Sequence, residues 1–179
     1  MRITRWLSIA VVALLAGCLL TSGQFAISFD LVDPLVVTGP TTVGIPIYLD
    51  TIDEYNNHKD DIKDLADVAM LGEITNNSSS ASLPVEFWMT PELTTHTTEA
   101  QVRSDPTAVR LWGPLTLAPS QVLRIDWDKS AGLFSGRTAL LNEVKANGTF
   151  TLYALGPAGA PYSFTLHQGV LVVVLDGGV

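Results

Sequence analysis

The chain has 179 residues, 47% of them hydrophobic, with 18 acidic residues against 10 lysines and arginines and a formal net charge of −8. That sign excludes the basic face a nucleic-acid partner needs. The single cysteine, Cys18, excludes an intrachain disulfide, so stability must come from an apolar core, and a chain of this length suits one domain.

The first residues are a targeting segment. Arg2 and Arg5 precede "WLSIAVVALLAG", an uncharged apolar run that ends in small residues. A membrane-spanning helix needs roughly 20 apolar residues, and here Thr21, Ser22, Gly23 and Gln24 interrupt the run. The sequence Leu15-Ala16-Gly17-Cys18 resembles the lipobox of bacterial lipoproteins. The resemblance covers only the leader. It implies that the Cys18 thiol receives a diacylglyceryl group, that residues 1–17 are removed as a signal peptide, and that the new amino terminus is acylated. Each buried methylene contributes about 0.8 kcal/mol, so two or three acyl chains anchor a protein stably on a membrane surface. In enterobacterial lipoproteins an aspartate after the modified cysteine signals inner-membrane retention. Leu19 stands there, so by the same resemblance the expected address is the outer membrane. Loss of Arg2 and Arg5 leaves 8 basic against 18 acidic residues, a formal charge of −10.

Residues 18–24 read as a lipidated tether and residues 25–179 as a single domain. "FAISFDL" places Phe25, Ile27, Phe29 and Leu31 on one face at period 2, as in a half-buried strand. Pro40 and Pro46 interrupt the next segment. Proline lacks a ladder donor, which predicts that the strand holding Pro46 lies at an edge or bulge. Ile62, Leu65, Ala66 and Ala69 then recur at helical spacing, with Asn57 as N-cap and Asp60 in an acidic first turn. This predicts a short helix.

From Asp67, "DVAMLGEIT" and "LPVEFWMT" read as strands joined by "NNSSSAS", a hairpin with a long loop. Further strands are expected around Val109–Leu117 and Val122–Trp127, the latter alternating Leu123, Ile125 and Trp127 inward with Arg124 and Asp126 outward. "GRTALLNEVKA", residues 136–146, gathers Leu140, Leu141 and Val144 on one helical face and closes on Asn147-Gly148. Two strands finish the chain, and "VLVVVL" in the last is apolar on both faces, as in a central strand. No repeat occurs at a fixed period. About eight strands and one or two short helices predict an all-β fold, an antiparallel β-sandwich of immunoglobulin-like or jelly-roll-like type.

Candidate chemistry is sparse. Asp50, Asp53, Glu54, Asp60, Asp61, Asp64 and Asp67 face only Lys59 and Lys63 over one segment. Calcium takes six to eight oxygen ligands, and Asp50, Asp53 and Glu54 are the candidate weak calcium site, although the alternate spacing and glycine turn of a calcium loop are missing; otherwise no cofactor is expected. His58, His96 and His167 lack the spacing that sets two imidazoles on one helical face. Ser135 in "GLFSG" stands one place late for a nucleophile elbow. Asp126 and Asp128 are the carboxylates a glycosidase would use, yet strand-end aspartates are common. Asn76, Asn77 and Asn147 each begin an N-x-S/T triplet, which turn formation explains.

Among the aromatics, Trp112 beside a turn and Tyr162 in "GAPY" are nominated as an exposed binding surface. The expected function is therefore a non-catalytic, lipid-anchored interaction or structural module of the bacterial envelope, contacting another envelope protein or glycan and no nucleic acid. The alternative is a carbohydrate-active or small-ligand-binding envelope protein. The two readings differ physically. An enzyme or carrier needs a pocket with converging polar groups, whereas a module has a filled interior and an apolar patch outside.

Overall fold

The computed structural model describes residues 22–91 and 93–178. Leu15, Ala16, Gly17 and Cys18, and with them the lipobox and its acylation site, lie outside the described residues. The rest is an all-β sandwich of two antiparallel sheets with nine strands among the described residues: β1 (Ser22–Asp30), β2 (Leu35–Thr38), β3 (Gly44–Tyr48), β4 (Ile62–Asn76), β5 (Leu83–Pro91), β6 (Val109–Leu117), β7 (Val122–Ile125), β8 (Thr149–Leu155) and β9 (Ser163–Gly178). The first sheet runs β1-β9-β4-β7 with β2 also on β9; the second runs β3-β8-β5-β6. β9, the "VLVVVL" strand, is central as its composition predicts. β3, which holds Pro46, is an edge strand, also as predicted. Between the sheets Phe87, Phe150, Phe164, Ile27, Ile47, Met70 and Ile74 interlock in one core cluster.

β1 begins at Ser22, so it takes in Ser22–Gln24, residues assigned above to the tether. The long β9 supplies their partners, and Ser22 pairs with Gly178. The helices are α1 (Asp53–His58), α2 (Glu99–Ser104), α3 (Trp127–Ala131) and α4 (Arg137–Ala146). α4 is the second predicted helix, and it ends as expected on Gly148 at φ 71, whose N–H donates to the Glu143 carbonyl at 2.9 Å.

The helix expected after Asn57 is a correction, because Ile62–Asn76 is strand. The ladder with β9 slips between Ile62 and Asp64 and again between Leu65 and Asp67. Each bulge inserts one residue, so the inward positions Ile62, Leu65 and Val68 fall three apart and imitate helical spacing. The aspartates serve this distortion. Asp64 Oδ1 accepts from the Leu65 N–H at 2.7 Å and Asp67 Oδ1 from the Val68 N–H at 2.8 Å. The Arg137 guanidinium donates to the Leu65 and Ala66 carbonyls from the far side.

The expected β4–β5 hairpin is likewise corrected, since the two strands belong to different sheets. The buried Asn76 turns "NNSSSAS" into a crossover. Its Nδ2 donates to the carbonyls of Ala81 and Ala118, both at 2.9 Å, and its Oδ1 accepts from the Ser78 N–H at 3.0 Å. α2 and α3 were missed because each is a short helix begun by a side-chain cap rather than by a long apolar stripe. Thr98 and Gln101 form a capping box for α2, and Asp126 Oδ1 accepts from the Lys129 N–H to cap α3.

Candidate functional site

The outer face of the second sheet is only partly covered. β8 is buried on both sides: Phe150, Leu152 and Ala154 belong to the main core, while Tyr153 and Leu155 pack under Val102 of α2. A network of charged side chains holds α2 down. Glu86 accepts from Trp88 Nε1 at 3.1 Å and pairs with Arg110 at 3.0 Å and Arg103 at 2.9 Å. Arg103 also pairs with Glu99 at 2.7 Å, donates to the Gly156 carbonyl at 2.8 Å and lies 5.2 Å from the Trp88 ring centroid. Burial raises the Glu86 carboxyl, but the bonds from Trp88, Arg110 and Arg103 outweigh it and hold the group below its ordinary value. These valences are spent on the fold.

The segment entering α2 is fixed as firmly. The Tyr153 hydroxyl donates to the Thr94 carbonyl and accepts from the His96 N–H. His96 Nε2 lies 2.8 Å from Asp105 Oδ2. The Thr107 hydroxyl and then His96 lower the Asp105 carboxyl to about 2.

Between this rigid segment and edge strand β3 runs an open cleft of about 370 Å³, lined by Val43, Pro46, Tyr48, Leu93, His96 and the threonines 42, 94, 95, 97 and 151. β3 creates one wall by simple alternation: Ile45 and Ile47 point into the core, so Pro46 and Tyr48 point out. A second hollow of about 160 Å³, lined along β2 by residues 35–38, shares Thr42 and Val43 with the first. The two form one surface. Among the described residues the large exposed apolar side chains are Val32, Val36, Val43, Tyr48, Leu93 and Val122. Four of these six line the paired clefts, with Val43 74% exposed.

The nominated aromatics are elsewhere, and this is a correction. Trp112 is 0% exposed: β6 does not end beside it but passes beneath the α3–α4 connection, where Gly113 N donates to the Leu133 carbonyl and Ser135 N to the Leu111 carbonyl. Tyr162 is 7% exposed, its ring lying over Gly39 and Gly156 and stacked on Phe164 at 6.2 Å. Only glycine leaves that space, since a Cβ at Gly39 would come within 2.1 Å of the ring.

Asp50, Asp53 and Glu54 are exposed around the start of α1, and Glu54 lies 3.5 Å from His58. Among the described residues no group of three or more His, Cys, Asp or Glu is placed to hold a metal ion. Asp126 is occupied as a helix cap, and Ser135 Oγ donates to the Arg110 carbonyl. The three histidines remain apart: His58 on α1, His96 before α2, and His167 facing out of β9, 3.6 Å from Asp33. The sequence signal for the cleft was the outward Pro46 and Tyr48 of a proline-marked edge strand, with Val43 just before it.

No family model matches the chain, and no curated protein sequence matches it. Among solved structures, those similar to it include the infectious bursal disease virus VP2 subviral particle (TM-score 0.38, 10% identity, 89% of this chain and 38% of that one). The T=1 particles derived from infectious bursal virus are similar at TM-score 0.37 and 10% identity, over 89% of this chain and 37% of that one. The infectious bursal disease virus Gt strain structure follows at TM-score 0.28 and 9% identity, over 87% and 35%. The chain therefore spans well under half the length of these structures, and likeness at this level carries no inference about what it does.

Proposed function

We propose that the protein is a lipid-anchored module of the bacterial envelope, acylated at Cys18 and more at home on the outer than the inner membrane, whose sandwich docks another envelope protein. The observation that carries the docking part is the apolar rim formed by Val36, Val43, Tyr48 and Leu93 around one continuous pair of clefts. Apolar side chains grouped on one open surface, rather than scattered, mark a place where water is to be displaced by a partner. The walls are pre-ordered by the Tyr153 and His96–Asp105 bonds, which limits the ordering entropy a partner must overcome. The anchor rests on the lipobox alone.

The experiment has two arms. Cys18→Ser should abolish acyl labelling and release the protein from membranes; a variant that stays bound refutes the anchor. A photo-crosslinking residue at Val43 or Leu93 in living cells should capture a discrete protein adduct that the same residue at His167, outside these clefts, does not. Equal capture at His167, or none at Val43 and Leu93, refutes the docking surface.

A further inference from the structure

The outer face of the first sheet holds a second cleft, built on a defect in the ladder. Between the pairs Leu71–Val170 and Glu73–His167, β9 runs through Gln168 and Gly169 where β4 has only Gly72. Such a bulge bends the strand and re-aims its side chains. Gly72 has φ 145, and a Cβ there would lie 2.9 Å from the His167 carbonyl oxygen, so the position demands glycine. Gln168 has φ 49. Glycine takes that left-handed conformation freely and glutamine does not, so backbone strain is stored beside an open cleft.

The cleft measures about 370 Å³, within the roughly 300–1,000 Å³ range of small-ligand sites. Its walls include Leu71, Glu73, Arg124, Asp126, Trp127 and Gln168. Trp127 is half-buried and immobilised, its Nε1 donating to Asp67 Oδ2 at 2.9 Å. The side chains of Glu73, Arg124 and Gln168 are exposed and make no hydrogen bond or ion pair with another described residue. Together they offer a carboxylate acceptor, a guanidinium fork of donors and an amide that does both.

The charges narrow the ligand. An anion would meet two carboxylates, and a metal ion would meet the Arg124 guanidinium at a site where no three His, Cys, Asp or Glu of the described residues come together. A neutral ligand with many hydroxyls and an apolar ring face matches both the free donors and acceptors and the indole. The geometry points to a carbohydrate-binding cleft at this bulge, taking a short neutral saccharide against Trp127 with its hydroxyls held by Glu73, Arg124 and Gln168. It shares no residue with the docking clefts and does not rest on that reading.

The test uses the full chain in micelles of a non-glycosidic detergent, titrated with neutral trisaccharides of the chito-, cello-, xylo-, malto- and mannan series and followed by tryptophan fluorescence and calorimetry. At least one should bind saturably. Arg124→Ala and Gln168→Gly should each weaken that binding about tenfold, the loss expected for one hydrogen bond to a charged or polar group. Neither should lower the melting temperature, and Gln168→Gly should hold or raise it, because glycine relieves the left-handed strain. The inference is overturned if no trisaccharide binds, if both variants bind as the parent does, or if trigalacturonate binds more tightly than every neutral probe.

Discussion

Ser130→Ala removes a single oxygen on which two buried donors depend. β7 stops at Ile125, opposite Gly72, which leaves the next stretch of β4's edge without a neighbouring strand. α3 takes over there. Ser130 Oγ accepts from the Met70 N–H at 2.6 Å and from Trp112 Nε1 at 3.1 Å. All three residues are 0% exposed, so no solvent replaces the lost acceptor. Leaving a buried donor unsatisfied costs about 1–3 kcal/mol, and alanine's better helix propensity returns about 0.5 kcal/mol, for a net loss of about 2–5 kcal/mol. Urea unfolding of parent and variant measures it, with the slope unchanged if only stability moves. The same substitution in a Trp112→Phe background should cost about 1–3 kcal/mol less, because one of the two donors is already gone. A loss below about 1 kcal/mol, or no coupling to Trp112, would refute the account of how β4's edge is closed.

Arg103→Met keeps the aliphatic stem near Trp88 but strips Glu99, 3% exposed, of its ion partner. Removing one partner of a buried pair costs about 3–5 kcal/mol; since Arg103 is a quarter exposed, about 2–3 kcal/mol is expected here by chemical denaturation, and an unchanged urea midpoint would contradict it. Asp105, lowered to about 2 from an unfolded value near 4, stabilises the fold fully above about pH 4 and loses that contribution as pH falls through 2. The urea midpoint of the parent should therefore drop faster between about pH 4 and 2 than that of Asp105→Asn; parallel profiles would show that the Thr107 and His96 bonds do not favour the carboxylate.

Local chemistry alone was enough for several features. Alternation in "FAISFDL" and "VLVVVL", the proline in β3 and the cap at Asn147-Gly148 each specify a conformation through neighbours a few residues away, and β1, β9, β3 and α4 follow them. What escaped depended on partners far along the chain. The three-residue spacing of the inward Ile62, Leu65 and Val68, which imitates a helix, is produced by two bulges, which exist only because β9 lies alongside and Arg137 satisfies the displaced carbonyls. Whether "NNSSSAS" closes a hairpin or crosses between sheets turns on Asn76 reaching Ala118.

The surface divides the same way. The sequence by itself determined the β composition, the central place of β9 and an apolar edge strand, because periodicity and proline act locally. Tertiary structure decided which apolar groups stay outside. It covered Trp112 with the α3–α4 connection and folded Tyr162 over two glycines, while leaving Val36, Val43, Tyr48 and Leu93 around one pair of clefts. It also set Gly72 against Gln168, a juxtaposition of positions nearly a hundred residues apart that only the register of β4 on β9 creates.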